Sequence, residues 1–304
     1  MVFTQDIRSV IAARVSVRRY RPEPLLHPIL EEVIAAGDQS VPLDGRIGLR
    51  FVLAIDGPAF ADQAGALMGS YGRILHAPHY IIAVSEIHPN YMVNAGFRME
   101  QMILYATALG LGTCWMGGFY SRKRVAHMLN IRSDEQVVAL TPIGYPAEGW
   151  RSHIIHRSMK WFTPAHGRRR PLEEIVFWGQ WGTPAGNSLA KHPGWHELLE
   201  AARLAPSWRN TQPWRFIVRE EELIVTVSRP AEQIGLPYYL LDGGIAMSHI
   251  FLVARQAGWN VAWEINPERL APLRQELGIP QKWDIIGLMK MPSTSEGLAP
   301  CQGR

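Results

Sequence analysis

"NAGFRMEQMILYATALGLGTCWMGG", residues 94–118, has a counterpart later in the same chain, "DGGIAMSHIFLVARQAGWNVAWEI", residues 242–265. Gly96 stands opposite Gly244, Met99 opposite Met247, Leu104 opposite Leu252, Ala106 opposite Ala254 and Gly110 opposite Gly258. The offset between Trp115 and Trp263, 148 positions, holds for every one of these pairs. It persists downstream without a gap, so that Leu129 and Ile131 meet Leu277 and Ile279, and Leu140 meets Leu288. Self-similarity at a fixed offset marks a repeated structural unit, and a unit too small to bury its own apolar face must pack on its neighbour.

Upstream the correspondence is looser. "LEEVIAAGDQSVPLDGRIGLRFVLA" and "HELLEAARLAPSWRNTQPWRFIV" each read as a helix, a loop and a strand. Each half then runs through a further strand, a long helix, a short strand, a helix and a last strand. Leu53 and Tyr80 to Val84 are strand-like, whereas Met99 to Leu109 is apolar on nearly all sides, as a core helix is. The mixture predicts an α+β fold of two tandem half-repeats packed as an intramolecular pseudo-dimer. Its expected parts are a first half over 1–165, a linking and embracing segment over 166–192, a shortened second half over 193–292 and a flexible tail over 293–304.

The chain has 304 residues, of which 47% are hydrophobic and 19% charged, the balance of a globular protein. Its formal charge of +4 is spread along the sequence apart from Arg168, Arg169 and Arg170, so no nucleic-acid footprint is expected. Two cysteines, Cys114 and Cys301, exclude a disulfide framework. The start "MVFTQDIRSV" lacks the charged-then-apolar form of a secretory signal, and apolar runs such as Met102 to Leu111 are too short to cross a bilayer. A cytoplasmic protein is expected, without a membrane or nucleic-acid partner.

Four segments carry candidate chemistry. In "RVSVRRY", Arg14 and Arg18 bracket Ser16 at the end of a helix that opens near Asp6, which on these residues alone reads first as a solvated basic helix end and second as a site for a phosphate and a conjugated ring oxygen. In "APSWRNTQPW", Pro206, Ser207, Asn210 and Gln212 lie on a loop that could line a flat ligand or merely connect a helix to a strand. "TCWMGGFY" puts Met116, Gly117 and Gly118 after a short strand, where bare backbone can approach a ligand or make a tight turn. "GRRRPLEEIVFW" sets three arginines ahead of an amphipathic helix, as a phosphate clamp or a surface charge run. No P-loop, dinucleotide fingerprint, zinc-ligand spacing or convincing Ser-His-Asp set is present.

Together, "RxSxRxY", "APSxxNxQPW", the long helix ending in "GLGTCWMGGF", the later "PIGYPAE" and "RRRPLEEIVFW" resemble the nitroreductase family of FMN-dependent flavoproteins. The resemblance covers most of the chain. It implies FMN as cofactor, NAD(P)H as electron donor, and a nitroaromatic, quinone or similar flat small molecule as acceptor. Family members are homodimers with flavins at the subunit interface. Here the first half keeps the Arg14, Ser16, Arg18, Gly117 and Arg169 elements, while the second keeps the Pro-Ser-Asn loop.

The resemblance therefore implies one composite site within one chain, of the fused single-chain subgroup, and a chain able to act as a monomer. Arg14 and Arg169 would hold the phosphate with Ser16 assisting. Arg18, Ser70 and Arg73 would face the pyrimidine edge of the ring, Gly117 would approach N5, and Pro206, Ser207 and Asn210 would cover the flavin. No protein acid or base need be found, because the cofactor carries the hydride chemistry. A flavin-storage protein with little turnover is the alternative from the same motifs.

Overall fold

The computed structural model describes residues 3–65, 76–118, 120–148 and 168–291. The first part runs α1 (Ile7–Ala13), α2 (His27–Asp38), β1 (Leu49–Ala54), α3 (Gly57–Gln63), β2 (His79–Glu86), α4 (Tyr91–Ala108), β3 (Gly112–Thr113), α5 (Arg122–Met128) and β4 (Glu135–Gly144). A connecting part carries α6 (Leu172–Ile175), β5 (Val176–Trp178) and α7 (Gly186–Ala190). The remainder runs α8 (Pro193–Arg203), β6 (Trp214–Arg219), β7 (Glu222–Ser228), α9 (Tyr238–Gln256), β8 (Trp263–Glu264), α10 (Pro267–Glu276) and β9 (Trp283–Lys290).

Helix starts follow from local chemistry. Asp6, Asp56 and Asn266 cap α1, α3 and α10 through their side-chain oxygens, and a proline sits in the first turn of α2, α3, α8 and α10. The two long helices end alike. Gly110 and Gly258 take φ of 76° and 85°, and the next residue's N–H reaches back to the carbonyl of Ala106 or Ala254 at 2.9 Å. This is the left-handed glycine stop that frees α4 and α9 to hand over to a short strand.

The two sheets share a strand order. The first is β1-β2-β4-β3 and the second β6-β7-β9-β8 with β5 added outside β6. Even an irregularity repeats: the register of β2 against β4 slips past Val138, and that of β7 against β9 slips past Ile286, again 148 positions on. Strand residues alternate between two layers. Ile81 and Ala83 face the central core while Tyr80, Ile82 and Val84 face an outer one. Likewise Phe216 and Val218 face inward and Ile217 outward.

The central layer is α4 against α9, and its apolar core is continuous between the halves, with Phe97 edge-on to Phe251 at 5.3 Å. A Cβ on Gly96 would overlap the carbonyl of Leu241, and one on Gly244 would overlap that of Val93. The contact is reciprocal, as in a two-fold dimer interface, but both surfaces belong to one chain.

One expectation is corrected. The stretch after Arg170 is not an amphipathic helix: only the turn Leu172–Ile175 is helical, and Val176, Phe177 and Trp178 pair in parallel with Phe216, Ile217 and Val218. A β-branched and two aromatic residues beside an open sheet edge favour the strand.

Candidate active site

Arg14 follows directly on α1, and the chain beyond it runs extended, with Ser16 bridged to Thr113 and Val17 N–H donating to Thr113 O at 2.8 Å. This fastens the Arg14 segment beside β3 and the Met116–Gly118 turn. Arg14 is buried, and among the described residues its Nε and Nη1 have no hydrogen-bond partner. The nearest carboxylate oxygen, Glu100 Oε1, lies 3.7 Å from Nε, beyond hydrogen-bond reach.

Arg169 stands close enough for Arg14 to act on it electrostatically. Burial first, then the Arg14 and Arg203 guanidinium groups, bring it down to about 10. It donates to Asn210 Oδ1 and, at 3.0 Å, to Leu204 O. Asn210 and Gln212 also donate to Arg168 O at 3.0 and 3.2 Å, and Gln212 Oε1 accepts Arg170 N–H at 2.8 Å. The arginine segment and the Pro206–Gln212 loop are thus bonded into one unit.

That loop is held hard. Arg209, Asn210 and Gln212 have φ of 50°, 56° and 50°, left-handed conformations that non-glycine residues adopt at a cost. Ser207 Oγ accepts Gln212 N–H at 2.9 Å, and buried Asp242 of α9 accepts Trp208 N–H at 3.0 Å. Burial pushes the Asp242 carboxyl up to about 8, against the Trp208 hydrogen bond that favours its ionised form. These contacts hold the loop rigidly in conformations that non-glycine residues seldom adopt.

At the turn, the Gly117 carbonyl accepts from Tyr238 Oη and Arg122 Nη2, and a Cβ there would overlap the Tyr238 ring. Met116 is buried and bridged to Leu140, while a Cβ on Gly118 would meet open space. Arg18 is half-buried on the stretch leading to Tyr20. Ser70 and Arg73 lie outside the described residues.

The structure thus gathers Arg14, Ser16, Met116, Gly117, Arg169, Asn210 and Gln212 into linked segments. Sequence reasoning missed Glu100, Trp115, His249, Asp242, Tyr238 and Arg122. The signal for three of them was present: an acid or histidine inside an otherwise apolar helix must find a partner. A separate cleft of about 400 Å³ beside Trp178, Thr183, Arg219 and Glu276 shares no residue with this cluster. Its Arg219 and Glu276 already pair with each other. No group of three or more His, Cys, Asp or Glu among the described residues is placed to hold a metal, and no described helix is long and apolar enough to cross a membrane.

Residues 6–254 match the model of a family described as "Putative TM nitroreductase". A protein of Archaeoglobus fulgidus named "Putative NADH dehydrogenase/NAD(P)H nitroreductase" is 30% identical over 120 residues, which cover 31% of this chain and 69% of that one. The solved structure of a nitroreductase-named protein from Thermotoga maritima superposes with a TM-score of 0.57 at 21% identity, covering 96% of each chain. A Bacteroides fragilis nitroreductase solved with bound FMN aligns over 48% of this chain and 91% of its own, with a TM-score of 0.41 and 21% identity.

Proposed function

The chain belongs to the nitroreductase family whose model it matches, and from that premise we propose that it is an FMN-dependent oxidoreductase. Bound FMN would supply electron transfer from NAD(P)H to a nitroaromatic, quinone or similarly flat acceptor. The observation that carries this reading is the pair Arg14 and Arg169. A buried guanidinium, Arg14, and a half-buried one, Arg169, stand close enough to repel each other, and Arg14 has donors without acceptors. Buried guanidinium donors without acceptors are costly, and the Glu100 carboxylate, 3.7 Å from Arg14 Nε, lies beyond hydrogen-bond reach, so the arrangement calls for an anion with several acceptor oxygens. The phosphate of FMN has that chemistry, and the residues fit it.

Arg14 and Arg169 would bind the phosphate, with Ser16 on the same segment. Asn210 and the Leu204 carbonyl hold Arg169 in place, so the second half contributes to the grip. Tyr238 and Arg122 fix the Gly117 carbonyl and thereby the plane of the Gly117–Gly118 peptide, whose N–H points opposite to that carbonyl. In this reading that peptide edge and Arg18 border the ring, and the Pro206–Asn210 loop excludes water from it. When bound, FMN supplies the hydride and electron chemistry, and the protein supplies orientation and charge.

Purified protein should be yellow with one FMN per chain, and anaerobic NAD(P)H should bleach it. Yellow protein that NAD(P)H leaves unbleached would instead be a flavin store. Charge-assisted hydrogen bonds contribute roughly 1.5–3 kcal/mol each, so Arg14→Ala should weaken FMN about tenfold to a hundredfold. Wild-type affinity in that variant, measured by quenching of flavin fluorescence, would remove the basis of the assignment.

A further inference from the structure

The α4–α9 contact holds two ionisable side chains that the proposed function does not use. Glu100 of α4 and His249 of α9 are both fully buried, with Glu100 Oε1 2.9 Å from His249 Nε2. The other ring nitrogen, Nδ1, is 2.8 Å from the carbonyl oxygen of Ala201. A carbonyl only accepts, so Nδ1 carries a hydrogen and the Nε2–Oε1 contact holds a second one. Trp115 Nε1 donates to the other carboxyl oxygen at 2.6 Å, and Arg14 Nε stands 3.7 Å from Oε1. The chain thus brings the candidate phosphate ligand, the strand leading to the glycine turn and a histidine of the second half to one carboxyl group.

A buried ionic network is weak evidence of a stabilising role, because apolar packing often serves as well. The molecule contains its own control. At the pseudo-symmetric place, 148 positions away in each direction, stand Ser248 and Gln101. Gln101 bonds the backbone of Val41 and Phe97, and the buried Ser248 hydroxyl has no partner among the described residues. At this pair of positions the helix contact therefore packs without charge on the side that lacks an Arg-Ser-Arg segment; the buried charge there, Arg98 one turn away, instead donates to Ser40 Oγ and the Asp38 carbonyl. An acid and a histidine at these two positions accompany the anion site and are not needed for the packing.

We propose that Glu100 and His249 are positioning residues for Arg14: His249 and Trp115 fix the Glu100 carboxyl, whose charge, 3.7 Å from Arg14 Nε, holds the Arg14 guanidinium beside Arg169 for a phosphate group. This rests on the reading of Arg14 and Arg169 as phosphate ligands. It gives α9 of the second half, which has no cradle of its own, a part in the cradle of the first.

The test is FMN affinity of the full-length chain in wild type, Glu100→Gln, His249→Gln, Arg14→Ala and the Arg14→Ala/Glu100→Gln double variant. Removing a negative charge would by itself strengthen anion binding, so weakening reports lost orientation. Glu100→Gln and His249→Gln should each weaken FMN about tenfold, and Glu100→Gln should change affinity no more than about twofold once Arg14 is gone, as for residues acting through one another. In the wild-type chain the Trp115 indole N–H resonance, assigned with Trp115→Phe, should move when FMN saturates the site.

Wild-type affinity in both single variants, or equal weakening with and without Arg14, overturns the proposal and leaves a structural role. Should the Glu100 variant not fold, a Trp115 resonance indifferent to FMN overturns it equally. Wild-type affinity in Arg14→Ala alone would instead defeat the underlying reading of the anion site.

Discussion

Asp242 shows how one side chain can tie the loop of the site to the pH of the medium. Its counterpart at the 148 offset is Asn94, and the two do the same work: Asn94 Oδ1 accepts Leu43 N–H at 3.0 Å as Asp242 Oδ2 accepts Trp208 N–H at 3.0 Å. An amide does this without charge. With the folded carboxyl raised from 3.8 to about 8, the native state binds more protons than the unfolded chain between those values. Stability therefore falls as pH rises from about 4 to about 8 and stays low above, a window set by burial. Asp242→Asn keeps the acceptor and removes the titration. Its stability, followed by urea denaturation, should be flatter with pH and exceed wild type at pH 9 by a few kcal/mol, since each pH unit across that window costs the wild type about 1.4 kcal/mol. A wild-type protein equally stable at pH 5 and 9 would refute this. The candidate site was partly legible: the Arg14, Ser16 and Asn210 segments stood out as motifs, but Asp242 and Glu100 looked like helix letters, since their partners lie far along the chain.

At the scale of elements, the repeat was legible because the α4–α9 contact tolerates only one pattern. Gly96 and Gly244 keep the register because each lies against backbone of the opposite helix, where neither rotamer change nor side-chain flexing can make room. Gly96→Ala and Gly244→Ala should therefore each destabilise the chain by about 1–3 kcal/mol or more through overpacking, and by similar amounts. Gly45→Ala, whose Cβ would meet nothing within 4 Å, should change little. A thermal melt comparing the three variants decides it, and a Gly244 variant as stable as that at Gly45 would deny the reciprocal contact. The strand β5 was not legible. "LEEIVFW" carries helix formers and strand formers in succession, and only the vacant edge of β6 selects the latter part for pairing.

Over the whole molecule, the two halves share a scaffold but not the residues of the candidate site. Asn90 Nδ2 donates to Ile265 O at 3.2 Å just as Tyr238 Oη donates to Gly117 O, so the clamp on the turn survives on both sides. The cradle does not. Residues 14–26 separate α1 from α2, whereas Lys191 and His192 alone separate α7 from α8, too little chain to carry an Arg-Ser-Arg segment to a second pocket. Glu264, opposite Met116, is instead paired with Arg269. The chain should therefore bind one FMN, and binding should stabilise both halves together because their core is continuous across α4 and α9. At a free FMN concentration a hundredfold above Kd the gain is about 2.7 kcal/mol, or roughly 5–11 °C in Tm at about 2–4 °C per kcal/mol. Arg14→Ala, with its tenfold to hundredfold weaker binding, should remove roughly half to five-sixths of that shift at the same FMN concentration, while Lys191→Ala should leave it intact. Calorimetric titration returning two equivalent flavins per chain, or a Tm shift lost with Lys191, would mean that the second half keeps a cradle of its own.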